Sequence, residues 1–128
     1  MEADGAVVER YKPRGFTRLL RAFGSSMRGL SGAYREEAAF RQELALAVIV
    51  IPLGLWLGHG PVERVLLVGP VLLILIVELL NSAIEATVDR IGPERHVLAG
   101  LAKDLGSAAV LLSFVLLAVV WSIVLLGR

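Results

Sequence analysis

The sequence predicts an all-α membrane protein, with an amino-terminal amphipathic helix in the membrane interface followed by three transmembrane helices. Three observations carry this. Of the 128 residues 56% are hydrophobic, more apolar side chain than one small water-soluble core is suited to bury. The apolar residues gather in three long segments of membrane-spanning character. Ahead of them runs an apolar stripe at helical spacing with arginines beside it, the pattern of a helix lying on a charged lipid surface.

Residues 1–14 mix charges with Gly5 and Pro13, show no sustained apolar period and contain no signal-peptide stretch. They read as a mobile tail. A membrane domain is expected over 15–128. Its first element, expected over 15–35, places Phe16, Leu19, Leu20, Phe23, Met27, Leu30 and Tyr34 on one helical face, with Arg18, Arg21, Ser25 and Arg28 away from the centre of that face. The same stripe also suits a soluble helix packed on a neighbouring subunit.

Three transmembrane helices are expected over about 38–60, 62–91 and 98–127, each long enough at about 1.5 Å per residue to cross a hydrocarbon layer of about 30 Å. The first has an apolar stretch from Leu44 to Gly60 that is short for a span, and the third, from Leu105 to Leu126, carries no charge at all. Pro52 and Pro70 fall inside the first and second spans, where membrane helices accommodate them as local kinks. The long unalternated apolar runs exclude β-barrel strands.

Orientation follows from the bases. Eleven lie in the amino-terminal segment and the second connection, against two at Arg64 and Arg128. That asymmetry puts the amino terminus and the second connection in the cytoplasm and the carboxyl terminus outside. A net charge of +1 argues against nucleic acid as a partner, which requires an uncompensated basic surface. With no cysteine, thiolate chemistry, thiolate metal sites and disulfides are excluded.

The stretch "VELLNSAIEATVDR" places acids directly after one of the most apolar runs. At 100° per residue Glu78, Asn81, Glu85 and Asp89 lie within about 80° of one another on a single helical face, with Glu78 about 10 Å deeper than Glu85. Ionisable groups at such depth are costly and point to function; a carboxyl there resists ionisation, which suits it to receive a proton near neutral pH. A purely structural role, tying helices together by hydrogen bonds, is the competing account. At the membrane entrance Glu37, Lys103 and Asp104 reach a similar height to Glu85 and Asp89. Carboxylates with a lysine resemble a magnesium and polyphosphate site, although Glu37 could simply pair with Arg41 at i, i+4. Neither a GxxxxGK[ST] loop nor a dinucleotide-binding glycine pattern occurs. Small residues Ala102, Gly106 and Ala109 allow close helix approach, equally suited to subunit packing or to packing on the second span.

"GFTRLLRAFGSSMRGL", "EEAAFRQE", "VELLNSAIEATVDRIG" and "AKDLGSAAVLL" resemble, in order and spacing, the small integral-membrane diacylglycerol kinases of bacteria, from Gly15 to the carboxyl end. The resemblance implies a homotrimer in the inner membrane with active sites shared between subunits. It also implies transfer of the γ-phosphate of magnesium-ATP to the hydroxyl of diacylglycerol, giving phosphatidic acid. By the same resemblance Glu78 is the general base, Glu37 and Glu85 are the magnesium ligands, and Asn81 supports that centre. Nucleotide contacts are implied for Arg18, Ser25, Glu37, Glu85, Asp89, Glu94, Arg95, His96, Lys103 and Asp104. Lipid contacts are implied for Arg18, Ala22, Gly24, Ser26, Ala39, Phe40, Arg41, Gln42, Glu43, Trp56, Arg64, Glu78 and Ser107. The chain departs from the family pattern at Ser25, where a tyrosine is common, at Met27, where an aromatic or leucine is usual, and at Phe23, where alanine is common. Related members phosphorylate undecaprenol, which is the alternative substrate. An acid ladder that conducts protons or ions without catalysis is the alternative of a different class.

Overall fold

The computed structural model describes residues 14–128; positions 1–13 of the expected tail lie outside the described residues. Four α-helices make up the architecture: α1 (Phe16–Glu36), α2 (Ala38–Leu57), α3 (Gly60–Ile91) and α4 (Val97–Leu126), with no strand among the described residues. Three of them, α2, α3 and α4, are long and apolar enough to cross a membrane. The chain divides after Gly32 into two units.

In the first unit α1 runs through Gly24 and Gly29, residues that each weaken a helix interior by about 1 kcal/mol. A helix of this composition depends on something to receive its apolar face. Phe16, Leu19, Leu20, Phe23 and Met27 are all exposed along it, as the periodicity requires.

The second unit begins with the last turn of α1. Glu37 breaks the helix by adopting an extended backbone (φ −114°, ψ 107°) and becomes the N-cap of α2, although its side chain makes no capping hydrogen bond. The Arg41 guanidinium turns back instead to donate to the carbonyls of Tyr34 at 2.7 Å and Arg35 at 3.1 Å, which have no further turn of helix to satisfy them. α2 ends at Leu57 because Gly58 is extended (φ −66°, ψ 130°). The turn continues through Gly60 at φ +84°, a left-handed backbone suited to glycine. α3 therefore starts ahead of Pro61, whose missing N–H is of no consequence in a first turn. At the other end Gly92 (φ +157°) closes α3, and His96 caps α4 by accepting a hydrogen bond from the Leu98 N–H at Nδ1, 3.1 Å away.

α3 is the central helix of this unit, packed against both α2 and α4. Its buried side chains are Leu67, Val71, Ile74, Glu78 and Asn81, joined by Phe40, Glu43 and Ala47 from α2 and Ser113 from α4. Pro70 is also buried inside α3. Close by, the Trp121 indole of α4 donates to the Leu67 carbonyl at 2.9 Å, and Gly54 of α2 brings that helix against Leu67 and Trp121. The polarity is inverted relative to a water-soluble protein. α4, the most apolar helix, buries only Gly106 and Ser113, while Leu105, Leu111, Leu112, Val119 and Ile123 point outward. Such a surface requires lipid or neighbouring subunits as its solvent.

Candidate active site

The polar face of α3 passes from inside to outside. Glu78 is 4% exposed and Asn81 8%, Glu85 is half-buried and Asp89 exposed. Helical spacing dictates the alignment, and the packing of α2 and α4 over the deeper half dictates the gradient. Opposite Glu78 stands a second acid, Glu43 of α2, with the two carboxyl groups in hydrogen-bonding reach of one another. Glu43 Oε2 is buried without a donor. Two ionised carboxylates only accept, so a hydrogen bond across that contact requires one proton on the pair.

This contact fixes the register of the antiparallel helices. Six residues back along α2 from Glu43 is Glu37, and six onward along α3 from Glu78 is Ile84, each step covering about 9 Å of helix axis. Glu37 and Glu85 therefore stand at one height. The Glu37–Arg41 ion pair that the spacing allowed does not form, because Arg41 is engaged by the carbonyls at the end of α1. On the other side of α3, Lys103 Nζ of α4 lies 2.7 Å from Asp89 Oδ1 and close enough to Glu85 to feel its charge.

Asn81 links the deep and shallow acids. Its Nδ2 donates to Glu85 Oε1 at 3.4 Å, and its Oδ1 is buried without a hydrogen-bond donor. The amide lies directly over Gly106 of α4. Of the two packings that suited the small residues of α4, Gly106 is engaged in the intrachain one.

A cleft of about 500 Å³ opens where α3 ends and α4 begins, lined by Val88, Asp89, Gly92, Pro93, Glu94, Arg95, His96, Val97, Ala99, Gly100 and Lys103. It gathers five of the residues expected to contact nucleotide: Asp89, Glu94, Arg95, His96 and Lys103. Asp104 is exposed beside them in sequence. Of these, His96 also serves as the α4 cap.

The remaining expected residues are dispersed. Ala39, Arg41 and Gln42 are exposed on the first turns of α2, whereas Phe40 is buried there. Trp56 and Arg64 lie at the opposite end of the bundle, Arg64 being fourteen residues and about 21 Å along α3 from Glu78. Arg64 Nε donates to the Leu55 carbonyl at 3.1 Å and Trp56 is 79% exposed. Ser107 faces outward on α4. Arg18, Ala22, Gly24, Ser25 and Ser26 belong to α1 in the first unit, where Ser26 Oγ donates to the Ala22 carbonyl at 3.0 Å and Arg28 donates to Ser25 Oγ at 3.0 Å.

Sequence reasoning treated Glu43 only as a lipid contact and missed it as the partner of Glu78. The available signal was its depth, six residues past the entrance acid Glu37 on an antiparallel span.

Among the described residues no three His, Asp or Glu side chains converge as a self-contained metal cage. Magnesium rarely uses one: it is bound through one or two carboxylates, with water and substrate phosphates completing the shell. Glu37, free of a capping bond and of Arg41, and Glu85, held by a single long amide contact, fit that requirement.

A model of the prokaryotic diacylglycerol kinases matches residues 24–125. Over 111 residues the chain is 50% identical to the diacylglycerol kinase of Escherichia coli (strain K12), covering 87% of this chain and 91% of that protein. Against the diacylglycerol kinase of Haemophilus influenzae it is 48% identical, covering 87% and 94%, and against that of Helicobacter pylori (strain 26695) 44%, covering 91% of each. The chain belongs to the prokaryotic diacylglycerol kinase family.

Proposed function

We propose that this protein transfers the γ-phosphate of ATP to the free hydroxyl of diacylglycerol, producing phosphatidic acid at the cytoplasmic face of a bacterial inner membrane. One observation carries the reading: two acids, Glu43 and Glu78, meet inside a mostly apolar helix bundle, and a polar row leads from them to a cleft at the membrane edge. A lipid alcohol resides near that depth and a triphosphate at the edge, so the row joins the two phases. Membership of a family whose relatives are named diacylglycerol kinases supports the same substrate.

In this mechanism Glu78 accepts the proton as the hydroxyl oxygen attacks the γ-phosphorus. The bond from that phosphorus to the β–γ bridging oxygen breaks, and ADP departs with the bridging oxygen. Once protonated, Glu78 can donate to Glu43, which holds the new proton away from the product. Lys103, on an exposed side chain next to Asp89, meets the phosphates as a point charge. Glu37 and Glu85 would hold magnesium, which when bound neutralises phosphate charge and orients the donor. The cleft formed by Gly92 to His96 receives the nucleoside end. Phosphoryl transfer asks for little more than this positioning and charge neutralisation.

The exposed stripe of α1 lies in the membrane interface, with its arginines at anionic head groups. The outward apolar faces of α2, α3 and α4 meet both lipid and two further copies, giving a homotrimer with shared sites. The excess of bases at the amino terminus and in the second connection keeps the cleft cytoplasmic and the carboxyl terminus outside.

The test is phosphate transfer from γ-labelled ATP by purified protein in mixed micelles offering diacylglycerol and undecaprenol side by side. Magnesium-dependent labelling of diacylglycerol is expected. Labelling of undecaprenol alone would overturn the substrate, and proton or ion flux in vesicles without any transfer would overturn the activity.

A further inference from the structure

We infer that Gly106 is a positioning residue for the reaction: its bare Cα on α4 is the seat that holds the Asn81 amide against Glu85. This rests on the reading of Glu85 as a magnesium ligand. A side chain at 106, beginning with its Cβ, would stand 2.2 Å from Asn81 Oδ1, closer than atoms can pack, and 3.2 Å from Asn81 Cγ, a tight contact. The neighbouring glycines are different, since Gly60, Gly69 and Gly100 on α3 and α4 have nothing within 4 Å of the corresponding point. Gly106 is thus singled out by the Asn81 side chain rather than by a general demand for thin helices.

Asn81 Oδ1 is buried with no N–H or O–H donor, and what it faces is the α4 backbone at Gly106. Contact with a glycine Cα–H is the weak hydrogen bond open to a carbonyl in that place. With Oδ1 seated there, the other arm of the amide, Nδ2, is directed at Glu85 Oε1. A methyl group at 106 takes the place of Oδ1. The amide must then rotate, Nδ2 leaves Glu85, and the carboxylate loses the group that sets its direction. α4 itself gains nothing unfavourable, because alanine is the better helix former.

The experiment is a double-mutant cycle with Gly106→Ala, Asn81→Ala and the pair combined, in the full-length protein in mixed micelles. Three quantities are read: kcat, equilibrium Mn²⁺ affinity by electron paramagnetic resonance in the presence of a non-hydrolysable ATP analogue, and elution as a folded oligomer. Groups that orient a metal ligand typically change metal affinity or activity by about 10-fold to 100-fold, and Gly106→Ala is expected to lose about that in both readouts. Removing the amide removes the clash, since only Asn81 Cβ remains, at 3.8 Å from the Cβ at 106. The double variant is therefore expected to match Asn81→Ala.

Gly106→Ala with parent Mn²⁺ affinity, or losses that multiply in the double variant, would overturn the assignment and leave Gly106 as a packing contact alone. If Gly106→Ala fails to fold, a folded double variant equal to Asn81→Ala supports the seat, and an unfolded one overturns it. Failure of the parent to phosphorylate any lipid is read separately and counts against the kinase reading; Mn²⁺ affinities across the cycle still decide whether Gly106 aims Glu85.

Discussion

Glu78→Gln separates chemistry from architecture. The carboxyl is 4% exposed and meets Glu43 across the α2–α3 contact, so the replacement must fit the same space, and the amide does. It cannot take a proton from an alcohol. Loss of a general base costs about 10² to 10⁴ in rate, or about 3–5 kcal/mol of barrier at 1.36 kcal/mol per factor of ten. Stability is expected to move the other way or not at all. The glutamine Nε2 can donate to the Glu43 carboxyl without a proton on the pair, so the contact across α2 and α3 is kept. The assay pairs phosphate transfer in mixed micelles with thermal unfolding and elution as an oligomer. Turnover close to that of the parent would remove Glu78 from the base role. Loss of activity accompanied by loss of the folded oligomer would show instead that the acid pair is architectural.

Other variants read other parts of the molecule. Glu85→Gln is expected to raise the magnesium concentration needed for half-maximal turnover, an effect Glu78→Gln does not share; an unchanged magnesium titration would reject the ligand assignment. Lys103→Met leaves the fold intact, because its pair with Asp89 is exposed, and raises KM for ATP while KM for the lipid stays put. Gly58→Ala is expected to destabilise the α2–α3 turn by about 1–3 kcal/mol through overpacking, since its Cβ would lie 3.0 Å from the Arg64 nitrogen and 3.1 Å from its Cα. Denaturant titration in detergent checks this, and kcat in the folded fraction is expected to be unchanged because the turn is at the end of the bundle remote from Glu78.

The sequence by itself determined what lies along each helix. Hydropathy marked α2, α3 and α4 as long apolar helices, and a period of 3.6 put Glu78, Asn81, Glu85 and Asp89 on one face, because both properties depend only on the order of residues in one segment. Ends moved by one to three residues where local backbone decided them, as at Gly58 and Pro61. Only the tertiary structure decided which side chains meet across helices. Glu43 stands opposite Glu78, Arg41 turns to carbonyls at the end of α1 rather than to Glu37, and Gly106 of α4 receives the Asn81 amide of α3. Each depends on the relative rotation and axial register of two helices. A single helix carries no record of either, since sliding or turning it against its neighbour leaves its own periodicity unchanged.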